Sequence, residues 1–144
     1  MEKRVTMQVD AKQLNGLTLA YVGDAIYELY IRTHLIASGY VKPDILHQKA
    51  VQFVSANAQA TIVHKWLDND VLTQEEEAIV RRGRNAKSIS TPKNMSVQAY
   101  RYATGLEALF GYHYLQENKE RLDKLAQLAI KSIENEDGND HSDD

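Results

Sequence analysis

Two acidic residues lie in stretches of the sequence that are otherwise apolar. Asp24 stands in Leu-Ala-Tyr-Val-Gly-Asp-Ala-Ile-Tyr-Glu-Leu, residues 19–29, and Glu107 stands in Ala-Thr-Gly-Leu-Glu-Ala-Leu-Phe-Gly, residues 103–111. Burying a carboxylate costs several kcal/mol unless it is paired or binds a metal ion. Carboxylate oxygens converging from two helices suit Mg²⁺ or Mn²⁺, and such an ion can activate water beside a phosphate. Both residues are therefore candidates for metal binding and catalysis.

Purely structural roles would also account for these acids. Asp24 follows Gly23, so it could cap the start of a helix, or it could pair with a basic side chain. Glu28 shares the helix face of Asp24, and its simplest role is an ion pair with Arg32 four residues later. The residues by themselves leave open whether the segments carrying Asp24 and Glu107 touch.

Helices are predicted to carry these residues. Only two prolines and seven glycines interrupt the 144 residues, and apolar residues between them follow helical rather than alternating spacing. We expect an all-α fold, a compact single-domain helical bundle. Capping residues and breakers place the helices at about 14–38, 43–53, 55–67, 73–82, 96–115 and 119–133. The predicted caps are Ser55, Ser96 and a capping box of Thr73 with Glu76. The first has apolar residues around much of its circumference, which predicts a central position.

Domain limits and location follow from composition. We expect one domain over residues 1–133 and a disordered acidic tail over 134–144, a segment with six acidic residues and no Lys or Arg. The chain has no cysteine, which excludes disulfides and Cys-ligated metal sites. No signal peptide and no apolar run of the roughly 20 residues that span a bilayer is visible. The expected location is the cytoplasm, with no membrane partner.

One basic segment interrupts an acidic protein of net charge −3. Between Ala78 and Leu106 there are six basic residues and no acidic one. Such asymmetry suggests a local anion-binding surface, although a solvated basic loop would look the same. The basic residues are Arg81, Arg82, Arg84, Lys87, Lys93 and Arg101.

The motifs taken together resemble the catalytic domain of the ribonuclease III family. Residues 19–29 resemble its signature helix, which is centred on Leu-Gly-Asp-Ala. Residues 104–111 resemble its second acidic motif, Asp-x-x-Glu-Ala-Leu-x-Gly. Residues 45–55 loosely resemble the helix between these motifs. The resemblance implies that Asp24 and Glu107 are the catalytic, metal-binding carboxylates, with Mg²⁺, or Mn²⁺, as the cofactor.

A narrower resemblance is to the bacterial Mini-ribonuclease III class, which lacks the double-stranded-RNA-binding domain. Only the acidic tail follows the predicted domain, and residues 82–87 and 91–94 resemble the loop signature of that class. The resemblance implies a homodimer that cleaves double-stranded RNA, leaving 5′-phosphate and 3′-hydroxyl ends. It also implies maturation of precursor 23S ribosomal RNA, where a ribosomal protein contact is possible. The expected RNA-binding residues are Arg82, Arg84, Asn85, Lys87 and Lys93.

Three positions depart from the family pattern. Leu17, Ala20 and Thr104 occupy places where the family usually has acids. Two carboxylates per subunit would remain, which leaves the number of metal ions open. One alternative is therefore a catalytically silent helical dimer that binds double-stranded RNA. Another is a helical protein-interaction module in which the acids are caps and the basic loop contacts a protein.

Overall fold

Six helices form the part of the chain that the structure describes. It is a computed structural model that describes residues 9–86 and 96–142, with side chains up to residue 135. A 3-10 turn at Ala11–Gln13 precedes the helices. The helices are α1 (Gly16–Ala37), α2 (Pro43–Val54), α3 (Ala56–Asp68), α4 (Gln74–Arg84), α5 (Val97–Leu115) and α6 (Lys119–Ser142). The predicted all-α fold is confirmed.

Polar side chains set the start of four helices. The side chains of Asn15, Ser55 and Ser96 accept hydrogen bonds from the first turns of α1, α3 and α5. Thr73 and Glu76 form a complete capping box at the start of α4. These bonds satisfy backbone N–H groups that have no partner within the helix. The predicted caps of α3, α4 and α5 are confirmed.

Helix α5 lies at the centre of the fold, where it packs against α1, α3 and α4. Between Ala103 and His113 every residue except Glu107 is buried. Glycines let α1 approach closely: a Cβ on Gly23 would lie 1.6 Å from the Glu107 carbonyl oxygen. A Cβ on Gly111 would likewise lie 2.0 Å from the Leu19 carbonyl oxygen. The two backbones are therefore in direct contact at this crossing.

Helix α1 is covered on one side only. Leu19 and Leu35 are buried in the core, whereas Leu17 and Leu29 are 40% and 62% exposed. The prediction that α1 is the central helix was wrong for the single chain. Apolar residues around a helix indicate burial, but they do not say whether the same chain provides all of it.

Helix α6 extends further than predicted. The expected end near Ile133 was wrong, because the helix continues to Ser142. The acidic residues beyond Ile133 do not break a helix by themselves.

No helix in the described ranges is both long and apolar enough to cross a membrane.

Candidate active site

Asp24 lies in the middle of α1. The helix begins eight residues earlier at Gly16, and its cap is Asn15. A cap role for Asp24 is therefore wrong. The prediction that Asp24 is buried in the core is also wrong, since Asp24 is exposed in the single chain. The helix turns this residue away from the core and towards an open cleft.

Glu107 is the one residue of the central stretch of α5 that is not fully buried. Burial, the charge of Asp24, contact between the two carboxyls and the charge of Glu28 raise the pKa of Glu107 to about 8. The two carboxyls lie within hydrogen-bonding reach of each other. Helices α1 and α5 therefore touch, and they bring Asp24 and Glu107 together.

The carboxyl pair faces a cleft of about 980 Å³ between α1 and α5. Leu17, Ala20 and Thr104 line the same cleft. Within the described residues no group of three or more His, Asp or Glu side chains is arranged to hold a metal ion. The cleft therefore presents the pair of Asp24 and Glu107 among mostly apolar and neutral side chains, with the charged Glu28 and Arg32 also in its lining.

Glu28 is held by an ion pair at the edge of the cleft. Its Oε1 accepts a hydrogen bond from Arg32 Nε at 2.9 Å and lies 2.7 Å from Arg32 Nη2 in the same ion pair. The predicted pairing four residues apart along the helix is confirmed. Glu28 still acts on the site, because its charge raises the pKa of Glu107.

A buried glutamine also contacts the carboxyl pair. Gln59 of α3 is 3% exposed, and its Nε2 donates to the Val54 carbonyl at 2.9 Å. The Gln59 side chain also lowers the pKa of Glu107, which partly opposes the effect of burial. Sequence reasoning missed this residue. Glutamine is common on exposed helix faces, so its type carried no signal.

The predicted RNA-binding residues fall into two groups. Lys87 and Lys93 lie outside the described residues. Arg82 is exposed, yet its Nη1 donates to the carbonyls of Lys12 at 3.1 Å and Leu14 at 2.9 Å. Part of its hydrogen-bonding capacity therefore holds the segment that leads into α1.

Arg84 and Asn85 follow at the end of α4. Arg84 Nε donates to Asn85 Oδ1 at 3.2 Å. The Arg84 guanidinium lies 5.7 Å from the ring centroid of Tyr102, in the range of a cation–π contact. Local contacts therefore hold Arg82, Arg84 and Asn85, which lie in the described part of the basic segment.

Residues 17–118 match the Ribonuclease III domain family. The chain belongs to the ribonuclease III family. Mini-ribonuclease 3 of Enterococcus faecalis is 53% identical over 124 residues, covering 86% of this chain and 94% of that protein. Mini-ribonuclease 3 of Streptococcus pneumoniae is 47% identical over 126 residues, covering 88% of this chain and 98% of that protein.

A solved structure gives the same answer for the fold. A protein from Fusobacterium nucleatum, known from its crystal structure, superposes with a TM-score of 0.73 at 34% identity. The match covers 85% of this chain and 96% of that chain. As a ribonuclease III domain related to the Mini-ribonuclease 3 proteins, the chain is an endoribonuclease acting on RNA. The predicted family membership is confirmed.

A second buried acid of this ribonuclease III domain has a structural role. Glu76 of the α4 capping box is 2% exposed. Its carboxylate accepts from Arg121 Nε and Nη2, both at 2.7 Å, and pairs with His113 Nε2 at 2.7 Å. Burial alone would raise the pKa of Glu76, but these bonds and the Thr73 backbone hold it well below its usual range. This cluster ties α4, α5 and α6 together.

Proposed function

We propose that this protein is a metal-dependent endoribonuclease that cleaves double-stranded RNA, with Asp24 and Glu107 as its catalytic residues. The observation that supports this is the contact between these two carboxyls in an open cleft of a ribonuclease III domain. The proposed products carry 5′-phosphate and 3′-hydroxyl ends.

The carboxyl pair fits a divalent cation. Burial and the neighbouring acids raise the pKa of Glu107 to about 8, so two negative charges here repel each other unless a cation lies between them. Oxygen ligands of this type suit Mg²⁺, and Mn²⁺ is an acceptable substitute. Asp24 and Glu107 would hold the ion, which when bound activates water and stabilises the charge that develops on a phosphate.

The protein's own contribution is position. Gly23 and Gly111 let α1 and α5 touch, which fixes the spacing of Asp24 and Glu107. Both acids lie on helices packed against the core rather than on loops. A site of this kind is held more accurately than one on a mobile segment.

We also propose that the protein is a homodimer whose subunits meet through α1. Tyr21, Leu29 and Ile36 are exposed by 83%, 62% and 58%, and with Leu17 they follow helical spacing along one side of α1. A contiguous apolar face of this kind marks an interaction surface. A second copy of the same face would cover it in a symmetric dimer, which places the two clefts near the dimer contact.

RNA is proposed to bind through the basic segment, with Arg82, Arg84, Asn85, Lys87 and Lys93 as contacts. Double-stranded RNA is recognised mainly by shape, phosphates and 2′-hydroxyls, which matches a segment rich in basic residues. Replacing Lys87 and Lys93 with alanine should weaken duplex binding and reduce its salt dependence by a slope of roughly one per lost contact. An unchanged slope in filter-binding titrations would argue against this segment.

The biological substrate is proposed from the resemblance alone. Precursor 23S ribosomal RNA in the cytoplasm, with a possible ribosomal protein contact, is the expected setting. Cleavage of precursor and mature 23S fragments should be compared directly, with an unrelated duplex of equal length as control. Equal rates on all three would remove the support for this substrate.

A cleavage assay with matched variants tests the function. Wild-type protein should cut duplex RNA in Mg²⁺ and leave it intact in EDTA. Asp24→Asn and Glu107→Gln should each lower the rate by a factor of about 100 or more, while dimerisation and duplex binding stay unchanged. Asp68→Asn, at the exposed end of α3, is the control. Full cleavage by Asp24→Asn would refute the assignment.

The same assay separates the two alternatives. A silent dimer would bind duplex RNA without cutting it in Mg²⁺ or Mn²⁺, and Leu17, Ala20 and Thr104 in the cleft are the feature that favours this alternative. A protein-interaction module would fail to shift RNA in a gel even at low salt.

A further inference from the structure

Three planar side chains from three different helices meet at one place on the surface. The His64 ring of α3 lies 4.3 Å from the Tyr102 ring of α5, measured between ring centroids, at an interplanar angle of 49°. The Arg84 guanidinium at the end of α4 lies 5.7 Å from the centroid of the same Tyr102 ring. His64 is exposed, whereas Tyr102 and Arg84 are half-buried. We call these three residues the stacking patch.

The stacking patch lies in a positively charged part of the chain. Arg84 and Tyr102 both belong to the basic segment, residues 78–106, which has no acidic residue. Arg81 lies three residues before Arg84 and therefore on the same side of α4, and Arg101 directly precedes Tyr102; both arginines are exposed. Planar groups on which a base can stack, together with cationic side chains, are the features by which proteins bind unpaired nucleotides.

The stacking patch is separate from the carboxyl pair. Tyr102 comes five residues before Glu107 on α5, so the two side chains project in directions about 140° apart around the helix. Glu107 lines the cleft, and none of the three patch residues belongs to the described lining of that cleft. A contact between RNA and the patch would therefore change binding and not the chemical step.

We propose that the stacking patch binds an unpaired nucleotide that adjoins the duplex. This inference rests on the proposed function, in which RNA is the substrate. Bases inside a duplex are stacked on each other, so only an unpaired base can offer its face to His64 or Arg84. Tyr102 contacts both of these side chains and holds them in position. The substrate class is therefore duplex RNA with a single-stranded extension.

Binding to two RNAs that differ only in the unpaired bases tests the proposal without relying on cleavage. Both are the same duplex with a short single-stranded extension, and in one of them the nucleotides of the extension are abasic. The number of phosphates is equal, so a difference in affinity reports on the bases alone. Affinity is measured by fluorescence anisotropy in EDTA, so that the RNA is not cut. The wild-type protein should prefer the extension that carries bases by a factor of about 5 or more; equal affinity for the two RNAs overturns the proposal.

Two variants separate stacking from charge. Arg84→Lys keeps the positive charge but removes the planar group, and His64→Ala removes the exposed ring. His47→Ala, at an exposed position on α2, is the matched control. Each patch variant should reduce the preference for bases by a factor of about 2 or more, whereas His47→Ala should keep the wild-type preference.

A purely structural role for the stacking patch predicts a different result. Loss of contacts between the helices alone would lower the melting temperatures of Arg84→Lys and His64→Ala and leave their preference for bases at the wild-type value. That outcome overturns the proposal.

Photocrosslinking of the wild-type protein covers the case in which the variants do not fold. An iodinated uridine in the single-stranded extension reacts under irradiation with aromatic side chains that lie against it. It should join to His64 or Tyr102, and mass spectrometry of the peptides locates the crosslink. Crosslinks at other residues only, or none at all, refute the proposal. A wild-type protein that binds no RNA would instead refute the proposed function, and this inference with it.

Discussion

Gly23→Ala is the substitution that tests most directly how the fold makes the site. The added methyl group would lie 1.6 Å from the Glu107 carbonyl oxygen and 2.7 Å from the Gly111 nitrogen. Real Cβ atoms essentially never come closer than 3.0 Å to such neighbours. The obstacle is backbone in the middle of α5, which cannot rotate away as a side chain can. Helices α1 and α5 must therefore separate.

The size of the effect follows from that separation. The helices have to move apart by roughly 1.5 Å, and a packed core transmits such a shift rather than absorbing it. Overpacking of this kind costs about 1–3 kcal/mol and occasionally more, and we expect the upper end here. Because Asp24 is the next residue along α1, it moves away from Glu107. Misplacement of a catalytic group by about 1 Å can cost a factor of about 100 in rate.

Stability and cleavage have to be measured together. Single-turnover cleavage of duplex RNA at saturating protein reports on the site, and thermal unfolding reports on the fold. Gly83→Ala is the control, because its Cβ would lie 2.8 Å from the Thr104 carbonyl and pushes α4 rather than α1 away from α5. Gly83→Ala should lose stability but keep most of its cleavage rate at temperatures where it is folded.

Gly23→Ala with the wild-type melting temperature and cleavage rate would show that the α1–α5 contact does not set the carboxyl spacing. Gly111→Ala meets the Leu19 carbonyl oxygen at 2.0 Å and should behave like Gly23→Ala.

Three further predictions concern charge and assembly. In metal-free protein the pKa of Glu107 is about 8 against an ordinary 4.5, so the folded state binds more protons than the unfolded state between these values. The free energy of unfolding should therefore fall as the pH rises from about 4.5 to about 8. Thermal unfolding in EDTA at a series of pH values measures this, and Glu107→Gln should flatten the dependence of stability on pH. Arg121→Met leaves the Glu76 carboxylate buried with fewer partners and should cost about 3 kcal/mol near pH 7 by urea unfolding. That cost should shrink as the pH falls below the ordinary glutamate pKa of 4.5, because the stabilisation from the lowered pKa of Glu76 is complete above that value and is lost progressively below it. A cost that stays constant in acid would contradict this. Tyr21→Asp should give a monomer in light scattering, whereas Val97→Asp, exposed but outside α1, should stay dimeric.

Local signals in the sequence predicted the helices well. The caps at Ser55 and Ser96 and the capping box of Thr73 with Glu76 act within one turn of helix, so they can be recognised in the sequence itself. The end of α6 was harder, because helix termination without proline or a glycine cap has no sharp local signal. Its predicted end near Ile133 fell nine residues short of Ser142.

Contacts between distant residues could not be predicted in the same way. Gln59, Glu76 and Arg121 reach their partners across different helices, and nothing about their residue types or spacing announces those contacts. Arg82 was predicted from its charge, but the hydrogen bonds it makes to the segment before α1 depend on the folded chain. The assignment of Asp24 and Glu107 remains a proposal, although their contact was established by the fold.

The prediction that α1 is buried on all sides was wrong for a physical reason. That reason links the apolar face of α1 to the acidic residue that the helix carries. Asp24 was expected to be buried because its neighbours are apolar, yet Tyr21 and Leu29 beside it are exposed in the single chain. An apolar face on a helix that the chain itself does not cover is consistent with burial by a second subunit. Covering that face would also remove water from around the acids, which increases the repulsion between Asp24 and Glu107 and therefore the stabilisation that a divalent cation can supply. In the proposed dimer, the apolar residues of α1 would thus have two effects. They would drive assembly, and they would increase the repulsion between the two carboxylates that a bound metal ion relieves.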